Sequence, residues 1–158
     1  MIVSLATLGP LGKLKAPGTW GSAVGLAWWA LVVQNLATPR GWIHEICFNG
    51  LVVLAAIFIC GAAAELLKKK DPSEVVLDEM VAMPLVFFLN PHLHLGTKLG
   101  FITVLLGFGL FRFFDIVKPL GIRWIEKAPG GIGIVMDDVV AALYANLCLQ
   151  VIGIYFSL

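Results

Sequence analysis

Long apolar runs alternate with short polar breaks along this chain, and the alternation predicts helices rather than strands. Ile46 to Ala64 carries no charge over nineteen residues, the length and character of a membrane-crossing helix. Similar runs extend from Ala23 to Leu36, Val81 to Leu89, Leu99 to Phe111 and Val139 to Phe156. Together they predict five apolar helices at about 20–37, 46–64, 80–95, 99–114 and 139–156. Pro17 and Gly18 break the chain before the first, with Thr19 or Ser22 in place to cap it. Asp71-Pro72-Ser73-Glu74 has the form of a helix start: Asp at the cap, Pro in the first turn and Glu three residues on. That helix is expected to run through Asp78 and Glu79 into Val81–Leu89. Asn90-Pro91-His92-Leu93-His94 ends it, its two histidines read as solvated rather than metal-binding. Ala141 and Ala145, four apart on the last helix, leave room for a close neighbour.

Composition turns this pattern into a class. Hydrophobic residues make up 59% and charged residues 13% of 158, and the mean hydropathy is +0.94. That is roughly half the charge of an average soluble domain, and it indicates an integral membrane protein built as one domain over residues 1–158. The basic residues behind the net charge of +1 are scattered beside acids and not gathered in a patch, so the charge gives no sign of nucleic acid, and none is expected as a partner. Cys47, Cys60 and Cys148 all stand in apolar surroundings and read as buried small hydrophobes, with no disulfide framework and no zinc spacing. Met1–Pro10 lacks the basic start and cleavage site of a signal peptide.

Alternate connections between the five helices are unequal in charge. Lys13, Lys15, Lys68, Lys69, Lys70, Arg112, Lys118, Arg123 and Lys127 fall on one side, Arg40 and Lys98 on the other. The rule that positive charge stays inside makes the first side cytoplasmic. The third and fourth helices, at about 15 residues, span only about 22–24 Å, and are expected to stop short or form a hairpin.

Acids in this greasy context need a reason. Glu74 and Asp78, four apart, repel, while Asp78 and Glu79 stand where the sequence turns fully apolar. Arg112, Asp115 and Lys118 recur every third residue on one side of a helix. Asp137 and Asp138 are expected to open the last helix, where its dipole favours acids. Capping, snorkelling and dipole effects account for single members. Five carboxylates (Asp78, Glu79, Asp115, Asp137, Asp138) on one predicted side of a membrane call for cations, and an all-oxygen donor set suits a hard ion such as magnesium (Mg2+). Arg112, Lys118 and Arg123 are the candidates to hold phosphate. The residues thus indicate a magnesium-dependent enzyme acting on a lipid phosphate. The alternative is a small ion or proton transporter using the same acids, although transport sites usually lie near the midplane.

Three blocks carry a resemblance to a known family: Ala16-Pro17-Gly18-Thr19 with Gly21-Ser22; Val76-Leu77-Asp78-Glu79 downstream of Asp71; and Phe111-Arg112, Asp115, Lys118-Pro119, Ile122-Arg123-Trp124, Gly130-Gly131-Ile132-Gly133 and Asp137-Asp138. In order and spacing the chain resembles the phosphatidylglycerophosphatase A family of bacteria. The resemblance implies an all-α, membrane-embedded bundle of about five to six helices around a central one, in the bacterial inner membrane. It implies hydrolysis of phosphatidylglycerophosphate to phosphatidylglycerol and phosphate, with Mg2+ as cofactor and membrane lipids as partners. Carried onto these blocks, Asp78, Glu79, Asp137 and Asp138 would be metal ligands and Asp115 a further ligand or a base. Catalysis would rest on Asp78, Glu79, Asp115 and Asp138. Thr19, Ser22, Arg112, Lys118 and Arg123 would take the substrate phosphate, the nucleophile being water or an aspartate.

Overall fold

The computed structural model describes residues 1–33, 42–89, 96–119 and 121–156. Among these, seven α-helices and no strands occur. They are α1 (Ile2–Ala6), α2 (Pro17–Trp28, continued by a wider turn over Trp29–Val33), α3 (Trp42–Leu67), α4 (Leu77–Val86), α5 (Lys98–Val117), α6 (Ile122–Ile125) and α7 (Gly131–Phe156). The all-helical, membrane-type bundle expected from the sequence is what the chain forms; the two additional helices, α1 and α6, are short. The predicted connection at Arg40 and the break at Asn90–His94 lie outside the described residues.

α3, α5 and α7 are long and apolar enough to cross a membrane, at about 30–39 Å by the rise of an α-helix. Large apolar side chains such as Leu51, Phe58, Phe101, Leu105, Leu147 and Ile154 point outward from them, an exposed surface that water would not tolerate and lipid does. These three helices and their apolar outer surface have the character of a membrane protein. α7 is the central helix: 61% of its apolar stretch is buried, against 22% for α3 and for α5, and α3, α4, α5 and α6 all pack against it. Ala141 and Ala145 are fully buried, in one core with Ala82, Val86 and Phe111, which is the close approach their spacing predicted.

Several boundaries differ from expectation, each for a tertiary reason. The stretch Asp71–Glu74 is a turn and not a helix start, because the Val75 N–H donates to Pro72 O and the Val76 N–H reaches across to Ala6 O, both at 2.9 Å. Glu74 pairs with Lys69. The helix therefore begins at Leu77 and has only ten residues, about 15 Å, half a bilayer core. Conversely α5 has twenty residues, so it is long enough to cross. α7 begins at Gly131, so Asp137 and Asp138 lie in its second turn and do not open it. The glycines run on as helix because they permit contact: a Cβ on Gly131 would sit 1.8 Å from Ile57 O of α3. α2 starts at Pro17 with Ala16 at the cap position, and neither Thr19 nor Ser22 caps it. Among the cysteines Cys60 is buried but Cys47 is exposed on the outer face of α3.

Contacts fix the directions. Gly21 meets Val76 and Gly25 meets Met80 and Met83, so α2 runs parallel to α4. α4 runs parallel to α7, since Asp78 and Asp138 meet at one end while Asn146 donates to Val86 O and Phe88 O, at 2.9 and 2.8 Å, at the other. α5 runs opposite to α7, Lys118 meeting Asp137 and Gly107 meeting Leu149. α3 also runs opposite, with Gly61 beside Gly131 at one end and Phe48 stacked on Trp28 at the other. The starts of α2, α4 and α7 and the ends of α3 and α5 thus gather at one end of the bundle. The short α4 ends beside Asn146, whose amide satisfies the Val86 and Phe88 carbonyls left over at the helix end.

Candidate active site

At that gathered end lies a cavity of about 270 Å³. Six carboxylates (Asp71, Asp78, Glu79, Asp115, Asp137, Asp138) and two cations (Arg112, Lys118) line it. Its floor is the first turn of α4 against the second turn of α7. One carboxylate oxygen from each of Asp78, Glu79 and Asp138 lies within 4.8 Å of the other two. Asp78 is 7% and Asp138 4% exposed, so like charges face one another away from water. The Glu79 N–H donates to Asp78 Oδ1 at 3.1 Å. Burial, reinforced by the charge of Glu79, pushes the Asp78 carboxyl well above the usual carboxylate range. Burial also raises Glu79, against the opposing pull of Arg112.

The two cations are held by the outer acids. Arg112 Nη1 donates to Asp115 Oδ2 at 2.6 Å and to Ser22 Oγ at 3.4 Å, and lies 3.9 Å from Glu79 Oε1. Lys118 Nζ donates to Asp137 Oδ2 at 2.6 Å and sits 3.4 Å from Glu126 Oε2. Burial alone would lower the Lys118 ammonium, but Asp137 and Glu126 outweigh it and raise it. These bonds join α5 to α2, α4 and α7 and fix the cations over the acid floor.

Two backbone features mark the rim. Ala16 (φ 57°) and Lys118 (φ 48°) are both left-handed, and both precede proline, where the chain ordinarily prefers extended geometry. Strain of this kind, about 1–3 kcal/mol per residue, persists where surrounding contacts over-determine it. At Gly18 a Cβ would come within 2.2 Å of Glu79 Oε1 and 3.1 Å of Arg112 Nη1. A side chain here would push the Glu79 carboxylate and the Arg112 guanidinium from their positions.

Of the residues singled out in the sequence, Asp78, Glu79, Asp115, Asp137, Asp138, Arg112 and Lys118 line the cavity together. Asp115 and Asp137 stand outside the tight three-acid group. Ser22 is fully buried behind the wall, its hydroxyl donating to Gly18 O at 2.8 Å. Thr19 is exposed and does not line the cavity, and Arg123 lines a neighbouring one. Asp71 and Gly18 were not among the candidates. Asp71 had a signal, an acid just upstream of Asp78-Glu79, but its likeness to a helix cap accounted for it.

Glu79 Oε2 and Asp137 Oδ1 are buried with no hydrogen-bond partner. Such oxygens are costly unless something satisfies them. Three converging carboxylates of oxygen-only chemistry are able to hold a metal ion, and the donor set fits a hard divalent cation.

Comparison with known proteins gives the same direction. The family model described as Phosphatidylglycerophosphatase A matches residues 4–153. A protein of Haemophilus influenzae named Phosphatidylglycerophosphatase A is 36% identical over 131 residues, 82% of this chain and 74% of the relative. One of Bacteroides thetaiotaomicron named Putative phosphatidylinositol-3-phosphatase is 37% identical over 139 residues, 86% of this chain and 82% of the relative. One of Escherichia coli, again named Phosphatidylglycerophosphatase A, is 29% identical over 143 residues, 90% and 77% of the two chains. No solved structure matches.

Proposed function

The chain belongs to the phosphatidylglycerophosphatase A family and is a phosphoric monoester hydrolase, and from that premise we propose that it removes the terminal phosphate of phosphatidylglycerophosphate with the help of Mg2+ at the cytoplasmic face of the bacterial inner membrane. The observation that carries the reading is the buried Asp78–Glu79–Asp138 group beneath two fixed cations. Glu79 Oε2, buried without a partner, is the oxygen a cation would satisfy. The relatives' names support phosphatidylglycerophosphate ahead of phosphatidylinositol 3-phosphate. Both lipids offer the same chemistry, a phosphomonoester on a headgroup above a diacylglycerol.

Asp78, Glu79 and Asp138 would hold the ion, with Asp137 at its edge. Bound there, it supplies positive charge against the phosphoryl oxygens and lets a dianion enter a cavity lined by acids. Arg112 and Lys118 take the remaining phosphate oxygens, each steadied by its own acid partner, Asp115 or Asp137. Charge placed on the equatorial oxygens before reaction does most of the work in phosphoryl transfer. Asp115, at the rim beside Arg112, is the carboxylate placed to accept a proton from the attacking water. As the water oxygen bonds to phosphorus the P–O bond to the headgroup breaks, and the proton taken up by Asp115 is returned through solvent to the headgroup oxygen, which leaves as an alcohol. Ser22 and Gly18 position Arg112 and Glu79 from behind.

Orientation follows from charge. Lys13, Lys15, Lys68, Lys69, Lys70, Lys118, Arg123 and Lys127 lie at the site's end of the bundle, while Lys98 starts α5 at the other. Positive charge retained inside favours a cytoplasmic site. The test is phosphate release by the purified protein in nonionic micelles, from phosphatidylglycerophosphate and from phosphatidylinositol 3-phosphate, with Mg2+ or with EDTA. Release from the first lipid with Mg2+ and its loss in EDTA are expected. Undiminished release in EDTA would remove the metal, and release only from the inositol lipid would reassign the substrate.

A further inference from the structure

A second cavity, about 300 Å³, adjoins the acid cavity. The two share Asp71 and Ile134 in their walls. Their electrostatics are opposite. In the acid cavity both cations are neutralised by carboxylates at 2.6 Å. The second is lined by Lys70, Arg123 and Lys127, and among the described residues none of these has a carboxylate within 4.0 Å. Arg123 reaches only the Val117 carbonyl, at 3.4 Å. Two acids also line this cavity, but Glu126 is engaged by Lys118 and Asp71 stands on the shared wall. Spare positive charge therefore remains, directed at a space large enough for a small polar headgroup. Trp124, beside Arg123, is 79% exposed, as an indole at headgroup depth would be. This supports a position for the basic cavity near the level of lipid phosphates.

The proposed substrate carries two phosphates: the monoester that is cleaved and the diester that joins the headgroup to diacylglycerol. We infer that the second cavity binds a lipid phosphodiester, with Lys70, Arg123 and Lys127 as its cationic partners, while the monoester occupies the acid cavity next door. This inference rests on the function proposed above and adds to it the part of the protein that selects a two-phosphate lipid. It also gives Arg123 a ligand other than the phosphate under attack. The same chemistry is offered by the substrate's own diester and by an anionic lipid beside it in the membrane.

The experiment replaces Lys70, Arg123 and Lys127 by Gln, singly and together. All three positions are exposed, so folding, followed by thermal melting, should be kept. Phosphate release is measured in nonionic micelles from phosphatidylglycerophosphate and from phosphatidic acid, which has a monoester and no diester. The triple variant should raise KM for phosphatidylglycerophosphate by about 10- to 100-fold, the scale of lost charge-assisted bonds, and leave kcat within about twofold. Selectivity over phosphatidic acid should fall by the same factor. A difference from wild type that appears only after phosphatidylserine is added to the micelles would assign the diester to a neighbouring lipid. Unchanged selectivity in both micelles would overturn the inference, as would equal losses of kcat on both substrates. If the wild type itself releases no phosphate from either lipid, the function proposed above fails and takes this inference with it.

Discussion

Two polar clusters interrupt the apolar interior of this bundle, about two helical turns apart on the same pair of helices, and they are built on opposite rules. Around Asn146 the bonds close on themselves: its amide donates to Val86 O and Phe88 O and accepts from Gln150 Nε2 at 2.8 Å. Around Asp78 and Asp138 they do not. There acid faces acid, and Glu79 Oε2 and Asp137 Oδ1 lie buried without partners. A buried polar group that is fully satisfied fixes structure, here the end of a half-length helix. One left unsatisfied holds energy in reserve for a ligand. Substitutions at the two clusters should therefore move stability and activity in opposite senses.

The largest expected effect is at the acids. Asp78→Asn and Asp138→Asn keep shape and burial but remove a charge from a group of like charges within 4.8 Å. Phosphate release from phosphatidylglycerophosphate should fall by about 10²- to 10³-fold, the scale seen when a charge-stabilising group is removed. The metal-free protein should at the same time melt higher, because repulsion between buried carboxylates is relieved. Activity assays beside thermal melting in EDTA check both halves. A variant that loses activity and also melts lower would place these acids with Asn146, as structural groups.

The smaller, inverse effect is at Asn146. Asn146→Leu leaves two carbonyls unpaired inside the bundle, at about 1–3 kcal/mol for a buried group without its partner. Tm should drop by about 5–10 °C for a chain of this size, with kcat of the folded fraction preserved. Retained Tm would mean that water or another side chain reaches the end of α4.

How much of this could be seen in the sequence depends on how far each feature is local. Asp78, Glu79, Arg112, Asp115, Lys118, Asp137 and Asp138 stood out because charge in an apolar stretch is anomalous by itself, and all seven line one cavity. The close packing at Ala141 and Ala145 was legible too, from the spacing of two small residues, whereas the central helix was implied only by the family resemblance. What was missed depends on contacts distant in sequence. Gly130, Gly131 and Gly133 read as a breaker from propensity alone; Gly130 does stay outside as a left-handed turn residue, but Gly131, against Ile57, and Gly133 belong to α7. Asp71-Pro72-Ser73-Glu74 has every mark of a capped start, and one bond from Val76 to Ala6 reverses it. Asn146 gave no signal, since its role exists only because α4 ends beside it. Thr19 and Ser22 looked equivalent as neighbours in one motif, and helical geometry puts one outside and the other against Arg112.

The subtlest way to sharpen the contrast is pH, because only the acid cluster titrates. Asp78 and Glu79 are held above their ordinary values by burial and, for Asp78, by its charged neighbour. The folded metal-free chain therefore binds these protons more tightly than the unfolded chain does. Between the ordinary carboxylate range and the raised values, the folded state carries more protons, so stability falls as pH rises through that window. A divalent cation takes the place of the protons and needs the ionised carboxylates. Tm in EDTA should then decline by a few degrees from about pH 5 to about pH 8, at about 2–4 °C per kcal/mol, while Tm with saturating Mg2+ stays nearly level. The gap between the two curves should widen with pH. Asp78→Asn should flatten the EDTA curve, whereas Asn146→Leu should shift both curves down in parallel. A gap that is constant across this range would show that the cation does not compete with protons at Asp78 and Glu79.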